Sequence, residues 1–372
     1  MTNRKIHIVS FDVPFPADYG GVIDVFYRIK ALAELGFDIT LHCFEYGRGQ
    51  RKELEKYTST VHYYPRKKSF IDVLKKKPFI VASRESPKLL SNLNRDDAPI
   101  LFEGLHTCAF LNHFTLKSRT KFVRTHNIEH NYYAGLANAS SGWKKIYFSR
   151  EAKKLKTFES ILENANHIFA IQEEDVEHFK KINPQVSLLT ASIPDFNNMP
   201  YISTDQFCLY HGNLSVLENQ QAVSWISKNV SFPEGIRFII AGKNPSNEIL
   251  ELNKKNNIDV VANPSNEHMA ELIQKARIHL LYTGQATGLK LKLLSALNSS
   301  GHVLVNSKML RGTGLNPFCQ IAEDGASFTK TIEENISVPL SEAEFNERKV
   351  MLSYQFNTTK NIGSFVDILD SI

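Results

Sequence analysis

Apolar positions along the chain recur in two alternating rhythms. KIHIVSF (5–11), ITLHCF (39–44), VHYYP (61–65), ILFEG (100–104), FVRTH (122–126) and HIFAIQ (167–172) read as short buried strands. After the first of them, VIDVFYRIKALAEL (22–35) sets Val22, Val25, Phe26, Ile29 and Leu32 on one helical face, and Gly36 follows as a helix-ending glycine. Helical stretches separate most of the remaining strands. After Pro194 the polar, turn-rich DFNNMP (195–200) reads as a linker, and the rhythm restarts. FCLYHGN (207–213), RFIIAG (237–242), IDVVAN (258–263), IHLLYT (278–283) and HVLVN (302–306) alternate with helices near 217–229, 246–256, 267–276 and 288–298. The last thirty residues read as helical and amphipathic. Strand and helix in alternation predict an α/β protein with two Rossmann-like, doubly wound parallel-sheet domains facing across a cleft. The expected domains are 1–195 and 196–355, with a terminal helix of about 356–372 packing back on the first.

In open parallel sheets ligands bind beyond the carboxyl ends of the strands. The segments that follow strands are therefore where chemistry is sought. After the first strand, DVPFPADYGG (12–21) places Asp18, Tyr19, Gly20 and Gly21 just before a helix, where exposed backbone N–H groups attract phosphate or a sugar hydroxyl. A tight turn needing glycine explains the same residues; GxGxxG is absent, so a dinucleotide cofactor is not expected. GLHTC (104–108) brings His106 to a strand end, with Glu103 inside an apolar strand, where a carboxylate needs a partner. VRTHNIEHNYY (123–133) gathers His126, Asn127, Glu129 and His130 after another strand. His126 stands at its carboxyl edge as a proton or hydrogen-bond donor. HEXXH is absent and no metal is expected. In the second half, His211-Gly212-Asn213 and Ala241-Gly242-Lys243 end two strands with glycine-bearing turns. TGLKLKLLSAL (287–297) runs from Thr287, a candidate N-cap, into a helix carrying Lys290 and Lys292. Lysine in a first helical turn opposes the helix dipole, which a bound diphosphate offsets; a solvated lysine pair is the alternative.

Composition narrows the class. The 372 residues exceed one ordinary domain, the 42% hydrophobic and 22% charged fractions exclude a wholly disordered chain, and no apolar run is long enough to span a membrane. The start turns polar at Asp12 and lacks a small-residue cleavage site, so no signal peptide is expected. Cys43, Cys108, Cys208 and Cys319 lie far apart and read as reduced, cytoplasmic thiols. The net charge of +5 hides an asymmetry: residues 1–190 hold 29 Lys+Arg against 21 Asp+Glu, and the remainder is slightly acidic. Two basic stretches in the first half, Arg66–Lys77 and Trp143–Lys156, interleave cations with aromatic and aliphatic residues. They suit an anionic leaflet, or a solvated helix face over the core. No nucleic-acid motif accompanies them.

Taken in order, PFPADYGG, THNIEH, HGNL, IAGKN and GLKLKLLSALNSSGHVLVN resemble the GT-B glycosyltransferases of the group-one or family-four type, over nearly the whole chain. The resemblance implies a retaining, metal-independent, hexosyltransferase-like transfer from a nucleotide-diphosphate sugar to a glycan or lipid-linked acceptor. It carries no permanently bound cofactor. His126 matches the histidine that contacts the donor sugar, and Gly20 and Gly21 the loop facing the diphosphate and acceptor. Donor contacts are expected from Gly20, Gly21, Gly212, Asn213, Lys243, Thr287, Gly288, Leu289, Lys290, Lys292 and Ser295. Acceptor contacts are expected from Asp18, Tyr19, Glu103, His106, Asn127, Glu129 and His130. The family's glutamate pair is replaced by Thr287 and Ser295. Its Arg and Lys after the first strand of the second domain are absent from GNLSVLENQ, which offers Asn213 and Glu218. The expected setting is polysaccharide or glycolipid biosynthesis, cytoplasmic or at the inner face of the membrane, without nucleic acid. A non-catalytic homologue that binds a partner, and a nucleotide-sugar epimerase of the same fold, are the alternatives.

Overall fold

The computed structural model describes residues 4–17, 20–67, 75–194, 200–285 and 290–372. These form two compact units: one of residues up to 194 together with 356–372, the other of the described residues from 200 to 355.

The first unit is built on β1 (Arg4–Ser10), β2 (Phe37–Glu45), β3 (Thr60–Pro65), β4 (Ile100–Glu103), β5 (Lys121–Arg124), β6 (His167–Ala170) and β7 (Val186–Leu188). Among the described residues they form one sheet of order β3-β2-β1-β4-β5-β6-β7, every pair parallel. Successive side chains of a strand point to opposite faces, and here both faces are covered. Val9, Phe102, Val123 and Ile168 meet Leu155 and Leu162 on one side. Ile8, Leu101, Phe122 and Phe169 meet Val25, Ile29 and Leu32 of the Gly20–Glu34 helix on the other. The Thr358–Ser371 helix joins that second layer, with the Phe365 ring 5.0 Å from Phe169 and 5.8 Å from Phe122.

The second unit carries β8 (Asp205–Asn213), β9 (Arg237–Lys243), β10 (Ile258–Ala262), β11 (Ala276–Leu281), β12 (His302–Val305) and β13 (Gln320–Ile321), in the order β10-β9-β8-β11-β12-β13, again all parallel. Each sheet reverses its strand order once, between β1 and β4 and between β8 and β11. Those reversals open the crevices where loops from both sides converge.

Three details differ from the sequence reading. The helix expected over 288–298 runs Leu291–Leu297 with Lys290 at its N-cap position, and the cap candidate Thr287 lies outside the described residues. The segment expected as a helix over 246–256 is one α-turn, Asn247–Leu250, followed by a 3-10 turn, Glu251–Lys254. β7 and β13 were not expected; three and two residues are too short for a periodic signal. The linker residues 195–199 lie outside the described residues.

Candidate functional site

In the first unit the loops after β1, β4 and β5 surround a buried network of charge. Asp24 and Arg28 lie one turn apart on the helix that follows β1, and both face inward. Arg28 donates to Asp24 and, from Nε, to Glu103 Oε1 at 2.9 Å. Arg124, the last residue of β5, donates from Nε to Asp24 Oδ2 at 3.1 Å and also to the Leu189 carbonyl. The Ser192 backbone N–H donates to Asp24 Oδ1 at 2.6 Å. Burial pushes both carboxyls up, but Arg124 and Arg28 pull Asp24 well below the ordinary carboxylate range. Arg28 and His126 hold Glu103 below it as well. The two carboxylates and two guanidiniums balance.

His126 closes this network. Its Nε2 donates to Glu103 Oε2 at 2.9 Å, and its Nδ1 stands 3.6 Å from Asp24 Oδ2, beyond hydrogen-bond range. The ring is 10% exposed and packs edge-on to Phe11, centroids 5.4 Å apart. Glu103 is fully buried, with one oxygen facing Arg28 and the other His126. This is the arrangement of a histidine held in one orientation by a buried acid. Gly104, with φ of 77°, has no room for a side chain: a Cβ there would lie 2.9 Å from His106 Nδ1 and 3.6 Å from the His126 ring.

Beside it stands a second acid–imidazole pair. His106 Nδ1 is 3.8 Å from Glu129 Oε1, without a hydrogen bond. Burial pushes Glu129 up to about 8, opposed by Asn127 and Arg84, so its carboxyl keeps its proton at neutral pH. Burial and the nearby Arg84 hold His106 well below its ordinary value, so it is neutral. His130 does not join His126: it turns to Glu159, 3.3 Å away. Gly20 and Gly21 open the Gly20–Glu34 helix, and a Cβ on Gly21 would meet the Phe11 ring at 2.6 Å. Asp18 and Tyr19 lie outside the described residues.

In the second unit the loops after β8 and β11 meet at the strand reversal. Asn213 Oδ1 accepts from the N–H and hydroxyl of Ser215, turning the chain into the Leu217–Asn229 helix. Gly242 lets β9 approach β8 closely, since a Cβ there would sit 1.9 Å from the Gly212 carbonyl oxygen. Lys243 ends β9, and its carbonyl accepts from Leu214 N at 2.8 Å. Lys290 Nζ lies 3.0 Å from Glu218 Oε1, which also accepts from the Thr283 hydroxyl. Thus Glu218, with no base beside it in sequence, has one in space. Lys292 Nζ donates to Tyr210 Oη at 2.9 Å and to Asn219 Oδ1 at 2.8 Å. Burial, reinforced by Lys290, pushes Lys292 down to about 7, with Glu218 opposing. The Ser295 hydroxyl donates back to the Leu291 carbonyl at 3.3 Å, its lone pairs remaining. Thr287, Gly288 and Leu289 lie outside the described residues.

The sequence reading missed Asp24, Arg28 and Arg124, which complete the first cluster, and Asn219, Tyr210 and Thr283, which complete the second. A signal existed for one pair: Asp24 and Arg28 at i,i+4 interrupt an apolar helix face with opposite charges.

No protein-family model matches the chain. An uncharacterized 44.6 kDa protein in the cps region of Klebsiella pneumoniae is 30% identical over 373 residues, which covers 92% of this chain and 94% of that protein. Among solved structures, Anabaena HepE in complex with UDP and glucose superposes with a TM-score of 0.69 at 11% identity, covering 100% of both chains. Sucrose-phosphate synthase from Thermosynechococcus elongatus gives 0.67 at 14% identity, covering 99% of this chain and 100% of that one. S. aureus TarM, in a complex that includes UDP, gives 0.67 at 10% identity, covering 98% and 99%. The fold of two parallel-sheet Rossmann-like domains is the GT-B fold of glycosyltransferases.

Proposed function

The chain belongs to the family of the Klebsiella pneumoniae 44.6 kDa cps-region protein, and on that premise we propose that it is a glycosyltransferase of surface-polysaccharide or glycolipid synthesis. It takes a sugar from a nucleoside-diphosphate donor and passes it, with retention, to a glycan or lipid-linked hydroxyl. The observation that carries this reading is the pair Lys290 and Lys292 at the strand reversal of the second sheet, beside the glycine-bearing turns at Gly212 and Gly242. HepE, of like fold, was crystallised with UDP-glucose, which makes a uridine nucleotide the first donor to test.

In the transfer, the bond between the sugar's anomeric carbon and the diphosphate oxygen breaks, the bond to the acceptor oxygen forms, and the acceptor's proton goes to the departing diphosphate. The protein has to stabilise negative charge on the leaving group. Lys290 is the charged donor available for that, once drawn from Glu218. Lys292 answers the same charge: a dianion beside its amine raises its proton affinity. The donor's ribose meets Ser295, whose hydroxyl offers a weaker hold than a carboxylate. Domain 1–195 is the acceptor side and 196–355 the donor side, with His126 oriented by Glu103 to contact the reacting sugar and no metal needed in the step.

The same reading places the first unit at an anionic leaflet. The Gly142–Phe158 helix opens with Trp143 and Ile146, 73% and 61% exposed, among exposed Lys144, Lys145 and Arg150. No described helix is long and apolar enough to cross a membrane. A basic, aromatic helix end of this kind lies on headgroups. Calorimetry with UDP, GDP and ADP tests the function: saturable binding of one nucleotide supports it. Absence of binding by all three at millimolar concentration favours the non-catalytic, partner-binding alternative, which the missing glutamate pair motivates.

A further inference from the structure

We propose that His130, Glu159 and His178 form a binding site for one divalent transition-metal ion of the zinc class, independent of the transfer reaction. The three residues come from three separate elements of the first unit. His130 sits in the first turn of the Glu129–Asn138 helix, Glu159 begins the 3-10 turn Glu159–Asn164, and His178 lies in the last turn of the Glu173–Phe179 helix. Their ligand atoms all lie within 4.8 Å of one another. Glu159 presents one oxygen to each ring: Oε1 is 3.3 Å from His130 Nδ1 and Oε2 is 2.7 Å from His178 Nε2. The two rings stand 5.4 Å apart, tilted by 46°.

Two imidazole nitrogens and a carboxylate are a donor set that zinc and its neighbours bind at about 2.0–2.2 Å, leaving a fourth position for water. The carboxylate is 5% exposed and the rings 14% and 24%, so the site is shielded yet open on one side. A second triad, Asp24, Glu103 and His126, also brings its ligand atoms within 4.8 Å of one another. There Arg28 and Arg124 already hold the carboxylates, and a metal would have to displace buried guanidiniums. Among the described residues no lysine or arginine pairs with Glu159, whose oxygens face the two histidines.

A buried acid with an unsatisfied oxygen lies nearby in the same helix as His178. Asp175, one turn before His178 on the same helix, is a buried carboxylate whose Oδ2 has no hydrogen-bond partner. A buried, unmatched carboxylate is costly. A cation at the triad would lie one helical turn from it and lower that cost. Bound metal would staple three otherwise separate elements and fix the Glu129–Asn138 helix, whose first residue is the protonated Glu129. The site thus steadies the segment from His126 to His130 without touching the reacting groups.

The test uses the full-length chain, freed of any histidine tag and stripped with EDTA, titrated with Co2+ and followed by visible ligand-field absorption. The expected result is a signal saturating at one ion per chain, displaced by Zn2+, with a higher thermal midpoint in the metal-bound form. His178→Ala and Glu159→Gln should weaken binding by about 100-fold or more, and His126→Ala should leave it unchanged. Far-UV circular dichroism checks that each variant folds. Absence of a stoichiometric signal from the wild-type chain at tens of micromolar Co2+ overturns the proposal whatever the variants do. So does retention of wild-type binding by folded His178→Ala, or its loss in His126→Ala, which would assign the ion to the other triad.

Discussion

Asp24→Asn removes one negative charge from the buried network while keeping the side chain's size. In the native unit Asp24 accepts from Arg28, from Arg124 at 3.1 Å and from the Ser192 N–H at 2.6 Å, and it is 1% exposed. The substitution leaves two guanidiniums facing one carboxylate, an uncompensated buried cation, which costs about 3–5 kcal/mol. With a urea m-value of about 3 kcal/mol/M, the midpoint for the first unit should fall by about 1–2 M. Urea melts followed by circular dichroism give the midpoint, and hydrogen exchange on peptides from β1, β4 and β5 assigns the transition to this unit. The acid limb supplies a second reading. Asp24 and Glu103 have folded pKa values below their unfolded ones, so as pH falls through about 4 the unfolded chain takes up protons first and stability drops. Asp24→Asn should flatten that slope. Adding Arg124→Met should recover part of the loss, because it restores the charge balance. A midpoint shift worth less than about 1 kcal/mol, with the acid slope unchanged, would refute the network as described.

Glu129→Gln should act in the opposite direction: a carboxyl pushed up to about 8 makes the folded state hold a proton that the unfolded chain releases, so wild-type stability declines from about pH 4.5 to 8, and the variant should be more stable at pH 8 and lack that slope in pH-dependent melts. Lys292, pushed down to about 7, should take up a proton when a nucleoside diphosphate binds, seen as buffer-dependent binding heats at pH 8; Lys292→Met should abolish the uptake and weaken binding at least about tenfold, the scale of a lost charged hydrogen bond. Gly242→Ala should unfold or severely destabilise the second unit, by more than about 3 kcal/mol in a urea melt, since the added methyl overlaps the Gly212 carbonyl. Trp143→Glu with Lys144→Glu should abolish sedimentation with phosphatidylglycerol vesicles and leave nucleotide binding intact.

The strand–helix alternation was legible because parallel strands buried on both faces leave continuous apolar runs, such as Val303 to Val305. From those runs followed the strand ends, and with them Glu103, His106, His126, Gly212, Lys290 and Lys292. What escaped was pairing across the chain. Glu103 meets Arg28 from 75 residues away, and Lys292 meets Tyr210 from 82; no local spacing encodes either contact. Arg28 and Asp24 were hidden inside a helix face that reads as core, because a charge-balanced buried network occupies the place of apolar side chains. His126 and His130 stand four apart and resemble a pair, yet the chain begins its helix between them, at Glu129, and sends them to different acids, Glu103 and Glu159.

Turnover of nucleotide sugars tests the central claim most directly. The purified chain is incubated with a panel of UDP-, GDP- and ADP-sugars, with and without lipid and glycan acceptors, and released nucleoside diphosphate is measured for wild type and His126→Ala. The account predicts release from one donor, faster with acceptor present, the sugar found attached to the acceptor with its anomeric configuration retained, and a large loss in His126→Ala. Equal release by the two proteins would contradict the part given to His126. No release from any donor by wild type, with no nucleotide bound, would contradict the assignment as a glycosyltransferase.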